Sequence, residues 1–425
     1  MSAKPLGAAL ALTGVVRSRE HLLHLLAEAA ELEHNLLCSY LYAAFSLKTE
    51  LRENLLPHEL IAVRRWHAAI MGVCMEEMTH LAQVANLMGA VGSRPHFDRP
   101  NLPVSPGYHP AGIQVALAPL DLETLDHFIY LERPEASDVQ DAASFRPTVA
   151  FERRAEIGVL MPSAPDYETI GEFYDILSAG LDGLAEAMGA EALFVGPAEH
   201  QLHAEEIGSK DLLVVSDMAS ARRAIHFIVV QGEGSPSEAA ESHFDAFSKI
   251  REELLQLTEE RPLFAPSRPV ARNPVMRRPL VEGRVHVRAS PAAALLDTAN
   301  AVYALMLRCL AAVYDISRSE AALRKALLGC ATGLMKLLGA VSNELTQLPA
   351  SAAGSPNAGV TFAMLRSTEG LAPGVSIAIV IRQRLALIEA QVPRLPISKA
   401  LGEHWSARLA TLGATLAEAV PAAAP

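Results

Sequence analysis

Basic charge, cysteine and long apolar runs are all scarce in this chain of 425 residues. Lys and Arg number 36 against 48 Asp and Glu, a formal net charge of -12, which excludes a general nucleic-acid binder because neutralising phosphates takes a net basic surface or a long basic stripe. A small or neutral partner is expected instead. The four cysteines, Cys38, Cys74, Cys309 and Cys330, lie in apolar stretches with no Cys-x-x-Cys pair, which excludes a disulfide framework and a Cys-x-x-Cys-His haem attachment. They are expected to be buried free thiols in a reducing compartment, and the expected location is cytoplasmic. No uninterrupted apolar run approaches the roughly 20 residues that span a bilayer, so no membrane partner is expected. The opening "MSAKPLGAALALTGVV" has one Lys before an apolar patch and is read as a frayed N-terminus rather than a signal peptide.

Hydrophobic residues make up 50% of the chain, enough for a large core and for two or three domains. Helical periodicity dominates. Residues 19–48 carry Leu26, Ala30, Leu37, Leu41 and Ala44 at three- and four-residue steps, and residues 57–91 carry Ile70, Val73, Cys74, Leu81, Val84, Leu87 and Met88 before Gly92 as a C-cap. A Pro/Gly-rich crossover over 93–119 leads to a short helix at 120–131. Further helices are expected at 167–188, 218–231 and 238–259, the last two separated by "QGEGSPSE". Residues 261–290 hold five prolines and seven arginines with Glu282 as the only acid, and read as a linker or a wrapping arm whose cations meet the acidic body of this chain or of a partner subunit. Beyond it, helices are expected at 293–315, 319–348 (opened by a Ser317 to Glu320 capping box), 375–391 and 399–419, followed by a disordered "VPAAAP" tail. Their expected role is helical packing and contact between copies of the chain. The expected divisions are thus 1–260, 261–290 and 291–425, the first an all-α bundle of four main helices with the fourth interrupted.

Charged residues inside the apolar stripes point to chemistry. Residues three and four apart share a helix face, so Glu77 and His80 both lie with Val73, Cys74, Leu81 and Val84. An unpaired carboxylate there costs several kcal/mol. A bound cation compensates for it, Glu-x-x-His being the bundle-core spacing of carboxylate-bridged dimetal sites; a hydrogen-bonded core pair also would. Glu33 is the lone acid aligned with Leu26, Ala30, Leu37, Tyr40 and Ala44, and is taken as a ligand. Glu31 and His34 share a face with His24, Glu28 and Asn35 that is expected to be solvated. His243 aligns with Ala239, Ala246, Phe247, Ile250 and Leu254; Ala240 occupies the place of a second Glu-x-x-His carboxylate, and Glu233 in the break is a candidate to approach the same point. On the 167–188 helix Glu172 is the best candidate. Tyr40 is expected to pack in the core.

The stretches "ELEHNLLCSYLYA", "EEMTHLAQVANLMGAVG", "LAPLDLETLDHFIYLE", "TIGEFYDIL", "LVVSDMASARRAIHFIVVQGEG" and "SHFDAFSKI", in this order and covering most of residues 19–258, resemble the ferritin-like domain of the iminophenyl-pyruvate dimer synthases of violacein and related bisindole pathways. The resemblance implies a ferritin-like bundle around a non-haem metal centre of iron, with manganese as the alternative, and a ligand set of Glu33, Glu77, His80, Glu172, Glu233 and His243. Two ions are expected. It also implies an oxidase or oxygenase that uses O2 on a small molecule, such as an amino-acid-derived imine; iron storage or an inactive scaffold is the alternative. Two departures stand: the second Glu-x-x-His is missing, and the bisindole synthases are much longer chains.

Overall fold

The structure is a computed structural model that describes residues 16–105, 107–110, 113–135, 137–146, 162, 164–233, 242–276, 284–365 and 376–419. The N-terminal patch over 1–15, the segment 234–241 within the expected break, and the tail over 420–425 lie outside the described residues. The helices run α1 (Arg19–Ser46), α2 (Pro57–Ala90), α3 (Leu122–Leu131), α4 (Ile170–Met188), α5 (Ala190–Leu193), α6 (Ala204–Ile207), α7 (Met218–Glu233), α8 (His243–Glu260), α9 (Ser290–Asp315), α10 (Ala321–Leu345), α11 (Ile377–Gln391) and α12 (Lys399–Glu418). Sheet is confined to β1 (Pro274–Val275) paired in parallel with β2 (Val285–His286) among the described residues. The fold is all-α.

Local chemistry sets the helix starts. Ser18, Asp121, Thr169 and Ser242 each accept a hydrogen bond from a backbone N–H of the first turn they precede, which satisfies donors a helix leaves without partners. At α2 the helix opens with Pro57, and the Glu59 side chain accepts from Leu56 N at 2.7 Å. Ser317 accepts from Ser319 N and caps a 3-10 turn over Arg318–Glu320, while Glu320 N goes to the backbone oxygen of Ser317, so the expected capping box at the start of α10 is corrected to a single side-chain cap on that turn.

One contiguous core extends from Val16 to Leu416 and joins the two helical regions. The bundle half consists of α1 and α2 packed along each other, α4 with α7, and α3 with α8. The C-terminal half is built on α9 and α10, with α11 and α12 outside them. By length and composition, Pro291–Asp315 and Arg318–Leu345 are apolar enough to cross a membrane, although polar residues such as Asp297 and Arg308 interrupt the first. In the structure 72% and 56% of their most apolar windows are buried inside the protein, against each other and, for α10, against α1.

The crossover after α2, Tyr167 and α9 of this second region together cover most of the α1 face that periodicity assigned to solvent. Glu28, His34 and Asn35 are buried; Tyr167 donates to Glu28 at 2.8 Å, and His34 Nε2 lies 2.6 Å from Tyr303 Oη on α9. Glu31 is half-buried, accepting from Tyr108 and lying 3.1 Å from His96. The expectation of a wet face is therefore corrected for these four residues, while His24 is exposed as expected: a helix sequence records its own stripe, not which remote segment lies on its second side.

The arginine-rich arm grips the acidic body. Arg261 donates to Glu59 at 2.6 and 2.7 Å. Arg268, buried, donates to Glu53 and reaches Asn343 and Thr346 on α10 and its cap. A third clasp, Arg324 on α10, donates to Glu206 at 2.8 and 3.0 Å. In each carboxylate burial acts upward on the pKa, and the arginine hydrogen bonds and charge outweigh it and hold the group below its ordinary value. A depressed folded pKa stabilises fully above the unfolded value of about 4.3 and loses that contribution as pH falls through the folded value. Acid-unfolding curves are expected to show the consequence: with Glu53, Glu59 and Glu206 all changed to Gln, stability falls less steeply below about pH 4.3 than in the wild type. Equal slopes would contradict it.

Candidate metal centre

Four helices bring three carboxylates and two imidazoles to one point inside the bundle. Glu33 comes from α1, Glu77 and His80 from α2, Glu132 from the residue that ends α3, and His243 from the first position of α8. All five are at most 3% exposed. Tyr174 of α4 and Gln231 of α7 complete the surround.

Glu77 is central. Its Oε2 lies 3.4 Å from His80 Nδ1, and its Oε1 lies 3.1 Å from His243 Nδ1. Each imidazole has a second carboxylate: Glu33 Oε2 is 3.4 Å from His80 Nδ1, and Glu132 Oε2 is 3.6 Å from His243 Nδ1. Two triads thus share one residue, Glu33–Glu77–His80 and Glu77–Glu132–His243, and either could hold a metal ion. With ligand bonds of about 2.1 Å, neighbouring donors of an octahedral or tetrahedral ion sit about 3.0–3.4 Å apart. The separations of 3.1–3.6 Å lie within or just above that spacing.

The outer oxygens and nitrogens are tied down. Tyr174 donates to Glu33 Oε1, and Tyr40 donates to Glu132 Oε1. His80 Nε2 lies 2.9 Å from Gln231 Oε1, and His243 Nε2 lies 3.0 Å from Glu76 Oε2. With the Nε2 hydrogens directed to these acceptors, both imidazoles present Nδ1 inward, the way outer partners orient metal-binding histidines. Tyr40 does pack in the core, against Phe128 and Phe247, and its hydroxyl also anchors a site carboxylate.

Charge explains why these residues need one another. Burial, then the neighbouring Glu77 charge, pushes Glu33 up to about 7. For Glu77 burial also acts upward, but the hydrogen bonds and charges of His243 and His80 outweigh it and hold the carboxyl low. Burial acts to lower His80, yet Glu33 and Glu77 raise it to about 10; His243 is raised likewise by Glu132, Glu76 and Glu77. Protons on the imidazoles can therefore balance the carboxylates, but not completely in geometry: Glu77 Oε2 and His243 Nδ1 are buried without a hydrogen bond. Buried polar atoms are rarely left so. Both orphaned atoms point into the triads, and the oxygen and imidazole donors suit a divalent transition metal such as iron or manganese. Each triad fits a metal ion.

Beside the group lies a cavity of about 20 Å³, walled by Leu36, Ile170, Gly171, Tyr174, Ile228 and Gly232. That volume holds about one water-sized molecule. Gly232 matters to it, because a Cβ there would stand 3.1 Å from Glu132 Oε2.

Of the six residues named from sequence, Glu33, Glu77, His80 and His243 converge. Glu172 is not brought to the group: it is half-buried near the N-terminus of α4, where its Oε2 accepts from Glu168 N at 2.7 Å. This corrects its place in the ligand set. The Thr169-x-x-Glu172 spacing is the pattern of a helix start, and Thr169 does cap α4. Glu233 ends α7, and its side chain lies outside the described residues. Glu132 was missed. Its signal was present, since it follows Leu125, Phe128 and Ile129 on the apolar stripe of α3 at helical steps.

An interrupted helical bundle with carboxylates and histidines facing inward defines a protein of the ferritin-like type. The chain belongs to the Ferritin-like family, which matches residues 26–252. It is similar to dichlorochromopyrrolate synthase of Lentzea aerocolonigenes, 25% identical over 76% of this chain and 34% of that protein. It is also similar to 2-imino-3-(indol-3-yl)propanoate dimerase of Chromobacterium violaceum, 27% identical over 80% of this chain and 33% of that one. The match thus spans about a third of the length of these curated relatives. A solved ferritin-like protein from Caulobacter vibrioides superposes with a TM-score of 0.46 at 19% identity, over 78% of this chain and 96% of that chain.

Proposed function

We propose that this chain is a metal-dependent oxidoreductase that uses O2 on a small amino-acid-derived imine or a related secondary-metabolite intermediate, at a centre of two iron ions. The observation that carries the reading is the position of Glu77, with one oxygen toward each histidine and a separate terminal carboxylate beyond each. Glu33 and His80 would hold one ion, Glu132 and His243 the other, and Glu77 would bridge them. When bound, reduced iron supplies the electron transfer to O2. The protein's part is geometric. Tyr40 and Tyr174 fix the terminal carboxylates, Gln231 and Glu76 fix the imidazoles, and Leu36, Ile170 and Ile228 keep the adjoining space apolar. A cavity of about 20 Å³ suits a diatomic ligand better than an organic acid, so the organic substrate is placed outside these walls. Its proposed class follows the names of the two relatives, one of which is named for an indolyl imino acid.

Anaerobic Fe(II) loading followed by metal analysis tests the reading. Two ions per chain are expected in the wild type, and one in Glu132→Ala, which leaves Glu33, Glu77 and His80 intact. Large and variable loading would support iron storage instead, and absence of bound iron would support an inactive scaffold. Consumption of O2 by the loaded protein, accelerated by an indolyl imino acid, is the expected activity.

A further inference from the structure

The two halves of the centre are built alike on the inside and differently on the outside. Each offers an imidazole Nδ1, one oxygen of Glu77, and a terminal carboxylate whose other oxygen accepts from a buried tyrosine. The difference lies behind the imidazoles. His80 Nε2 meets the neutral amide oxygen of Gln231 at 2.9 Å, whereas His243 Nε2 meets the carboxylate of Glu76 at 3.0 Å. Glu76 precedes the bridging Glu77 on α2, so the helix turns one carboxylate into the group and leaves its neighbour at the edge, 40% exposed, against the back of a histidine from another helix.

A hydrogen bond to a charged acceptor is roughly twice as strong as one between neutral groups. Behind a metal-binding imidazole, a carboxylate draws on the N–H and makes the opposite nitrogen the better donor; removing such outer partners costs about 10- to 100-fold in metal affinity. An amide acceptor orients the ring equally well but adds no charge. Solvent at the exposed side of Glu76 weakens its field, which places the expected effect toward the lower end of that range.

Resting on the two-ion reading above, we infer that the two metal positions are inequivalent, and that Glu76 is the positioning residue that makes the Glu132–His243 position the tighter. The first ion therefore enters beside His243 and the second beside His80. The asymmetry belongs to this chain's side chains alone, because the inner donors of the two positions are of the same kinds.

The test is an anaerobic calorimetric titration of the metal-free protein with Fe(II). Wild type is expected to bind two ions in two resolved steps, with Glu132→Ala removing the tighter step and Glu33→Ala the weaker. Glu76→Gln keeps the shape and an acceptor for His243 while losing the charge. It is expected to weaken the tighter step about 10-fold and leave the weaker one unchanged. Gln231→Glu supplies the missing charge to the other half and is expected to tighten the weaker step until the two merge. A merely structural role for Glu76 would not move one step selectively in a variant whose circular dichroism is unchanged. Two ions with both steps unaltered by Glu76→Gln, or shifted equally, would overturn the inference and leave the two-ion reading standing; so would loss of the weaker step in Glu132→Ala. Fewer than two ions in the wild type would overturn both.

Discussion

Glu77→Ala is expected to empty the centre of both ions at once. One carboxylate faces both histidines, its Oε2 3.4 Å from His80 and its Oε1 3.1 Å from His243, so no other single substitution removes a donor from each triad. What remains is one imidazole and one carboxylate on each side, two donors where a stably held transition ion needs three or four. Glu77→Gln should approach the same result with almost no change in volume, because an amide oxygen lacks the charge that two neighbouring cations require. The fold should survive in both variants: without metal, His80 retains Glu33, and His243 retains Glu132 and Glu76. Iron per chain after anaerobic loading, measured beside far-ultraviolet circular dichroism, decides it. Retention of either ion in Glu77→Ala would show that the carboxylate does not bridge.

Arg324→Met should produce the largest loss of stability outside the centre. This guanidinium is 1% exposed and donates to Val313 O at 2.8 Å, Ile316 O at 2.5 Å and Gln201 O at 3.0 Å, in addition to Glu206. It therefore joins the end of α9 and the body of α10 to the loop and short helix between α5 and α7. Breaking a buried pair by removing one partner costs about 3–5 kcal/mol, since the surviving groups lose their compensation. Ile316 O and Gln201 O lose this donor as well, which adds to that cost, while Val313 O keeps the N–H of Ile316. Denaturant unfolding of the metal-free protein is the measurement. A loss under about 1 kcal/mol, the scale of an exposed pair, would mean that water replaces the guanidinium and that the clasp is ornamental.

The bundle helices were legible because the apolar stripes of α1 and α2 repeat at helical spacing over many turns; the caps at Ser18, Asp121, Thr169 and Ser242 were found only in the structure. Glu33, Glu77, His80 and His243 were legible for a related reason. Each is a polar residue on an apolar stripe, and its burial followed from its neighbours before anything was known of its partners. Glu132 obeyed the same rule on α3, but one residue past the last helical turn and on an element too short to draw attention. Glu172 had two readings at equal spacing, ligand or helix start, and Glu168 N decided for the second.

Glu76 shows the opposite limit. On α2 alone it is an edge residue beside a ligand, and its role depends on His243, more than a hundred residues away and on another helix. The burial of Glu28, His34 and Asn35 depends in the same way on the crossover, on Tyr167 and on α9.

From the sequence by itself came the all-α class, the approximate helix spans and four of the five inner donors, because periodicity and the cost of burying charge act within a few residues of one another. The grouping of side chains into two triads, the place of Glu77 between both histidines, the position of Glu172 away from them and the unlike partners behind His80 and His243 were decided only by the tertiary structure. Those features are contacts between helices, and a single helix's pattern says which way a side chain faces without saying what it meets.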